Sequence, residues 1–196
     1  VGRKAAAGRI GVVGPMPFAM MDALRSRLPR AQFVDVTADF RQLRLVKSEE
    51  ELAWVRMAAR LTDESLWALA RELRPGLKEY ELPAIIETPY LRQGAQNRIH
   101  YVLTTSMSHP AVCVPSQYPS NREIAAGDVL VIENSVSYWG YDAQLLRTFT
   151  VGARPTPLYQ RLYDVAVAAY QRIFAVLRPG ATAADVVAAA DLILEE

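Results

Sequence analysis

Gly127-Asp128-Val129-Leu130-Val131-Ile132-Glu133 is a turn followed by four apolar residues and then a carboxylate. After Trp139-Gly140 a second run follows, Tyr141-Asp142-Ala143-Gln144-Leu145-Leu146-Arg147-Thr148-Phe149-Thr150-Val151. Val, Ile, Tyr, Phe and Thr favour strands, so 129–138 and 141–151 read as paired strands joined near Trp139-Gly140. An acid placed directly after four buried strand residues is costly unless it is paired or holds a cation. Gln144 lies eleven positions on (144 − 133). Across a hairpin, side-chain alternation can aim Glu133 and Gln144 into one cavity. A solvated edge hairpin is the other reading of the same pattern.

Upstream, Ile99–Thr105 reads as a strand and Ala111–Val114 as another. Before them, Ser48 with Glu51 forms a capping box, and Leu52, Val55, Ala59, Leu66, Leu69 and Leu73 set one apolar face of a helix over 49–74. Pro75-Gly76 stops it. A second helix is predicted from about Lys78 to Arg92, with Leu82, Ile85 and Ile86 inward; Pro83 and Pro89 bear on its continuity. Downstream, helices resume at Pro157–Leu177 and from Ala181 to the end.

Leu73-Arg74-Pro75-Gly76 recurs as Leu177-Arg178-Pro179-Gly180, an offset of 104 residues (178 − 74). Under that offset Leu69 falls on Ile173, Leu82 on Val186 and Ala84 on Ala188. Apolar phase is thus kept on both flanks, which predicts a duplicated helix–helix–strand unit. The second copy's strands are then expected beyond Glu196.

The N-terminal stretch has a different pattern. Arg9–Gly14 and Ala31–Val36 read as strands around a helix from Met16 to Leu28, and residues 1–40 are taken as the end of an α/β domain. Gly11-Val12-Val13-Gly14-Pro15 lacks the Gly-x-Gly-x-x-Gly spacing of a dinucleotide turn.

Composition excludes several classes. The 196 residues carry a formal net charge of +1, which gives no electrostatic case for nucleic acid or an anionic membrane. No apolar run is long enough to span a bilayer. Gly2-Arg3-Lys4 is basic, but no apolar signal core follows it. The one cysteine, Cys113, forms no internal disulfide, and the expected compartment is the cytosol. With only His100 and His109, a metal site would be mostly carboxylate. Nothing here sets the oligomeric state; a homodimer is compatible with the sequence.

Residues 43–194 resemble the pita-bread family of creatinase, prolidase and aminopeptidase P. The resemblance is carried by Leu43-Arg44-Leu45-Val46-Lys47-Ser48 through Ala58-Ala59, by Arg74-Pro75-Gly76 through Glu81-Leu82, and by Gly127-Asp128, Gly140-Tyr141 and Arg147-Thr148-Phe149-Thr150-Val151-Gly152. Lys78 stands where a threonine is usual. The fold it implies is α+β, an incomplete pita-bread fold with a curved antiparallel sheet backed by helices. Residues 44–196 would be the first part of the catalytic domain, and 1–40 the remnant of an N-terminal α/β domain.

The activity implied is hydrolysis of C–N bonds in a small-molecule or short-peptide substrate, of the Xaa-Pro peptidase or creatinase type. In metal-dependent members the two hairpin positions are aspartates holding a dinuclear centre; here they are Glu133 and Gln144. An amide for a carboxylate removes charge from a site for hard ions. The resemblance then points to the metal-free, creatinase-like branch, with no cofactor. One alternative is a metal-dependent Xaa-Pro aminopeptidase or prolidase holding Mn, Co or Zn through Glu133. A non-catalytic binding domain is the other.

Within the first reading, His109 and Glu133 are the catalytic candidates, and Tyr141, Gln144 and Arg147 bind substrate. His109 suits proton transfer near neutral pH, or is a surface-loop residue held by Pro110. His100 reads as structural. Arg147 pairs with Glu133 or fixes the hairpin. Tyr138, Trp139 and Tyr141 wall a cationic pocket or form core. The family's second histidine and two further glutamates come from the second copy, so the chain alone is expected to be inactive and poorly stable.

Overall fold

The computed structural model describes residues 7–194. The basic Gly2-Arg3-Lys4 stretch, and the last two residues of the helix expected to reach the end, lie outside the described residues. The chain divides into two compact units, Val1–Ala53 and Trp54–Glu196.

In the first unit, β1 (Arg9–Val12) pairs in parallel with β2 (Gln32–Asp35), and α1 (Phe18–Arg27) connects them. Parallel neighbours need such a crossover. Gly11 is required by close approach: a Cβ there would sit 2.8 Å from Val36 Cγ2. A helix without an apolar stripe, α2 (Thr37–Leu43), follows β2. The Asp35 carboxylate starts it by accepting from Thr37 N at 2.9 Å and Thr37 Oγ1 at 2.6 Å. The capping box forms as read: Ser48 N donates to Glu51 Oε2 at 2.7 Å, and Glu51 N donates to Ser48 Oγ at 3.2 Å.

The second unit is built on α3 (Glu49–Glu72), α4 (Leu82–Leu91) and a three-stranded antiparallel sheet in the order β3 (Gln96–Ser106), β4 (Asp128–Tyr138), β5 (Tyr141–Val151). Leu61, Leu66 and Leu69 of α3 and Leu82, Ile86 and Tyr90 of α4 share one core with Val102, Leu130, Ile132, Val136 and Val151. The expected sheet backed by helices is therefore present. The expected second helix is split, with a 3-10 turn at Glu79–Glu81 before α4.

Two readings need correction. Ala111–Val114 is not a strand. Pro110 and Pro115 bracket it and remove backbone donors, and Ser116 makes the β-bridge to Val102 instead, at 2.9 and 3.0 Å. The inward face of α3 also includes Thr62 and Ser65, both fully buried. Thr62 Oγ1 donates to Ala58 O at 2.8 Å and is 3.2 Å from Ala143 O, while Asn134 Nδ2 donates to Ser65 Oγ at 2.6 Å. This polar seam joins helix to sheet, and an apolar count passes over it.

The helices α5 (Pro157–Val176) and α6 (Ala183–Leu194) complete the described chain. No helix among the described residues is long and apolar enough to cross a membrane.

Candidate active site on the sheet

Alternation divides the sheet into two faces. Leu130, Ile132, Asn134 and Val136 of β4 face α3 and α4 and are fully buried. Glu133 lies on the other face, opposite Tyr101 of β3 and Leu146 of β5. Gln144 pairs with Ser135, which makes it the diagonal neighbour of Glu133 on the same face. The amide closes the diagonal: Gln144 Nε2 donates a short hydrogen bond to Glu133 Oε1. Glu133 is half-buried and Gln144 exposed. The amide thus fixes one carboxylate oxygen and leaves the other side of the group toward a ligand.

The remaining candidates are not gathered with this pair. Arg147 pairs with Ile132, so parity puts it on the helix-backed face; the expected pairing with Glu133 is not formed. There its guanidinium donates to Leu146 O at 2.8 Å and lines a small groove with Asp63, Trp67 and Phe149. Tyr141 has the same parity. It packs edge-to-face on Trp54 at 5.9 Å between centroids, beside Tyr138 and Trp139 at 6.2 Å each. That geometry is an aromatic seal at the hairpin tip. His109 sits exposed in the loop after β3, with Nδ1 3.1 Å from Ser108 Oγ; neither Glu133 nor Gln144 is among its hydrogen-bond partners.

Tyr101 was not singled out from the sequence, because its place opposite Glu133 depends on strand register. Further along the same face, Val129, Thr148, Thr150, Pro155, Tyr159 and Tyr163 line a cavity of ≈ 190 Å³. It lies four residues from Glu133 along β4, about 13 Å at ~3.3 Å per residue.

A polar clasp holds the 107–127 loop to this sheet. Glu79, 6% exposed, accepts from Thr104 N at 2.8 Å and Ser120 N at 2.9 Å, and from both hydroxyls. Arg122 makes a two-pronged pair with Asp128, at 2.6 and 2.9 Å, and also donates to Thr104 Oγ1. Burial pushes both carboxyls up, but the hydrogen bonds outweigh it. Those from Ser120 and Thr104 hold Glu79 below its ordinary value, and those from Arg122 and Ala125 N do the same for Asp128.

Among the described residues no three His, Cys, Asp or Glu side chains converge. Glu133 and Gln144 offer two oxygen donors and one negative charge, whereas a pair of divalent ions calls for about four. These residues alone do not fit a dinuclear centre.

A family model described as metallopeptidase family M24 matches residues 53–196. The chain is 26% identical over 187 residues to a protein named Xaa-Pro dipeptidase from Pyrococcus horikoshii, covering 95% of this chain and 52% of that one. A probable dipeptidase of Mycobacterium tuberculosis is 30% identical over 190 residues, covering 93% and 50%. The fold matches the solved prolidase of Pyrococcus furiosus with a TM-score of 0.84 at 22% identity, over 98% of this chain and 56% of that one. The chain spans about half the length of the curated relatives it matches. The match to a metallopeptidase family corrects the expectation of a metal-free branch without a cofactor: the amide at position 144 marks a departure at one ligand position, not a change of family chemistry.

Proposed function

The chain belongs to metallopeptidase family M24, and from that premise we propose that it forms part of a hydrolase of short peptides of the Xaa-Pro type. The observation carrying this reading is the Glu133–Gln144 pair on one face of the sheet. Relatives named Xaa-Pro dipeptidase and Xaa-Pro aminopeptidase support the substrate class. In this reading the Glu133 carboxylate, held by Gln144, takes the cationic amino terminus of the peptide. Tyr101 flanks it, and the cavity beside Tyr159 and Tyr163 receives a more distant apolar part of the substrate. A family metal, when bound, would supply Lewis acidity and an activated water.

Residues 1–196 by themselves hold peptide without turning it over. Glu133 and Gln144 bind and orient, and no proton carrier is hydrogen-bonded to either. Calorimetry with Ala-Pro checks the site. Binding is expected to fall at least tenfold in Glu133→Ala and when the peptide's amine is acetylated. Equal binding by the variant rejects Glu133 as the anchor. Turnover of Ala-Pro by residues 1–196, with or without added Mn2+, rejects the binding-only reading of this segment.

A further inference from the structure

On the helix-backed face, three polar atoms from two elements meet in a closed triangle. Glu87 projects from α4, and Asn97 and His100 from β3. Asn97 Nδ2 lies 2.8 Å from Glu87 Oε1 and 2.5 Å from His100 Nδ1, and His100 Nδ1 lies 2.9 Å from Glu87 Oε1. The two ionisable side chains are 13% and 25% exposed, His100 and Glu87 respectively.

The backbone is shaped to make this meeting. Asn97 and His100 are three residues apart, which in a regular strand puts them on opposite faces. A register shift between Asn97 and Ile99 intervenes: Asn97 pairs with Val136 and His100 with Asn134, two positions of one face. The bulge therefore turns Asn97 onto the His100 side, as bulges do where a side chain is re-aimed.

No assignment of protons satisfies all three contacts. With Nδ1 of His100 unprotonated, its lone pair faces the Glu87 carboxylate, acceptor against acceptor. With Nδ1 protonated, it serves Glu87 but opposes an Asn97 N–H at 2.5 Å. Turning the Asn97 amide, whose O and N occupy equivalent positions, removes that clash. It then sets the amide oxygen 2.8 Å from the carboxylate oxygen. One change resolves the triangle, a cation bound by three acceptors: Glu87 Oε1, Asn97 Oδ1 and neutral His100 Nδ1.

The dimensions suit such an ion. Adjacent ligands around an octahedral centre with bonds of ~2.1 Å stand about 3 Å apart. The sides of 2.5, 2.8 and 2.9 Å approximate one face of that octahedron. Asn97 is exposed, so the opposite face is open to water. An imidazole with a carboxylate and an amide selects a first-row transition ion over Mg2+ or Ca2+.

We propose that Glu87, Asn97 and His100 form a divalent transition-metal site that ties α4 to β3, on the sheet face opposite Glu133.

The chain has two histidines, so ring-nitrogen NMR reads the site directly. In a His109→Gln background, the single remaining histidine is followed as Zn2+ is added to the full chain. The His100 ring signal is expected to shift and saturate. The dissociation constant should rise at least tenfold in both Glu87→Gln and Asn97→Leu. Asn97 is exposed, so its variant stays decisive if Glu87→Gln fails to fold. Glu133→Ala should leave the His100 titration within twofold, which separates this site from any ion held on the other face. A His100 signal unmoved by excess Zn2+, a shift equal in wild type and Asn97→Leu, or one abolished by Glu133→Ala would overturn the proposal.

Discussion

The helix pair α3–α4 and the helix pair α5–α6 carry the same punctuation and bury themselves very differently. Leu73-Arg74-Pro75-Gly76 and Leu177-Arg178-Pro179-Gly180 both end a helix, and Gly76 and Gly180 both adopt φ of 91°. The first-turn cap recurs too: Lys78 N donates to Glu81, and Thr182 N to Asp185, each at 2.7 Å. Every one of these features keeps the 104-residue offset. Yet α3 has seven buried residues and α5 has none. In the first pair the inward stripe lies on the sheet; in the second, Leu162, Tyr163, Tyr170 and Phe174 are 55–67% exposed. Stripe and caps are local properties, whereas burial depends on what lies opposite. The first pair also has Glu79 in its turn, clasping β3 and the following loop, where the second has Ala183.

The sharpest way to break this contrast is through its equivalent core positions. Leu69→Ala should cost about 2–5 kcal/mol in denaturant unfolding, the range for a fully buried leucine. Ile173→Ala at the matching position should cost well under half of that. Equal losses would mean that α5 is covered in solution as α3 is.

A smaller effect separates the two turns. Glu79→Gln should destabilise by roughly 1–3 kcal/mol, since it weakens charge-assisted bonds in a buried cluster. Ala183→Glu should stay within about 0.5 kcal/mol at its exposed counterpart. The pH dependence follows from sign. Glu79 and Asp128 are held below their ordinary values of 4.5 and 3.8, so the stability they contribute is present above those values. It is lost as pH falls through the lower folded-state values. Acid titration of the melting temperature should therefore fall more gently in Glu79→Gln than in the wild type. Parallel slopes would remove Glu79 from the account.

The smallest expected effect tests what the pairs share. Gly76→Ala and Gly180→Ala meet no atom within 4 Å, so each pays backbone strain alone, about 1–2 kcal/mol. Helix content measured by circular dichroism should fall alike in both. A cost confined to Gly76 would show that the second stop is not an independent local signal.

Elements written by neighbouring residues were legible in advance: the hairpin at 129–151, the Ser48–Glu51 box and the parallel strands near residues 9 and 32. So was the common face of Glu133 and Gln144, because alternation across a tight hairpin is a local rule. Arg147 shows where the reading lapsed, since the same parity sets it on the reverse face from Glu133. Asn134 with Ser65 is 69 residues apart, and Glu79 with Ser120 is 41. No periodicity relates such pairs, so the polar seam and the clasp were invisible to it.

The sequence by itself determined which segments become helix and strand, where they stop, and which side chains share a face. These follow from backbone sterics and from repeats of 3.6 and two residues, which act within a few positions. Only the tertiary structure decided that Tyr101 stands opposite Glu133, that a bulge turns Asn97 toward His100 and Glu87, and that α3 is buried while its repeat α5 is not. Each of those depends on strand register or on packing between distant segments, where the free energy belongs to a pair of surfaces and neither sequence carries it alone.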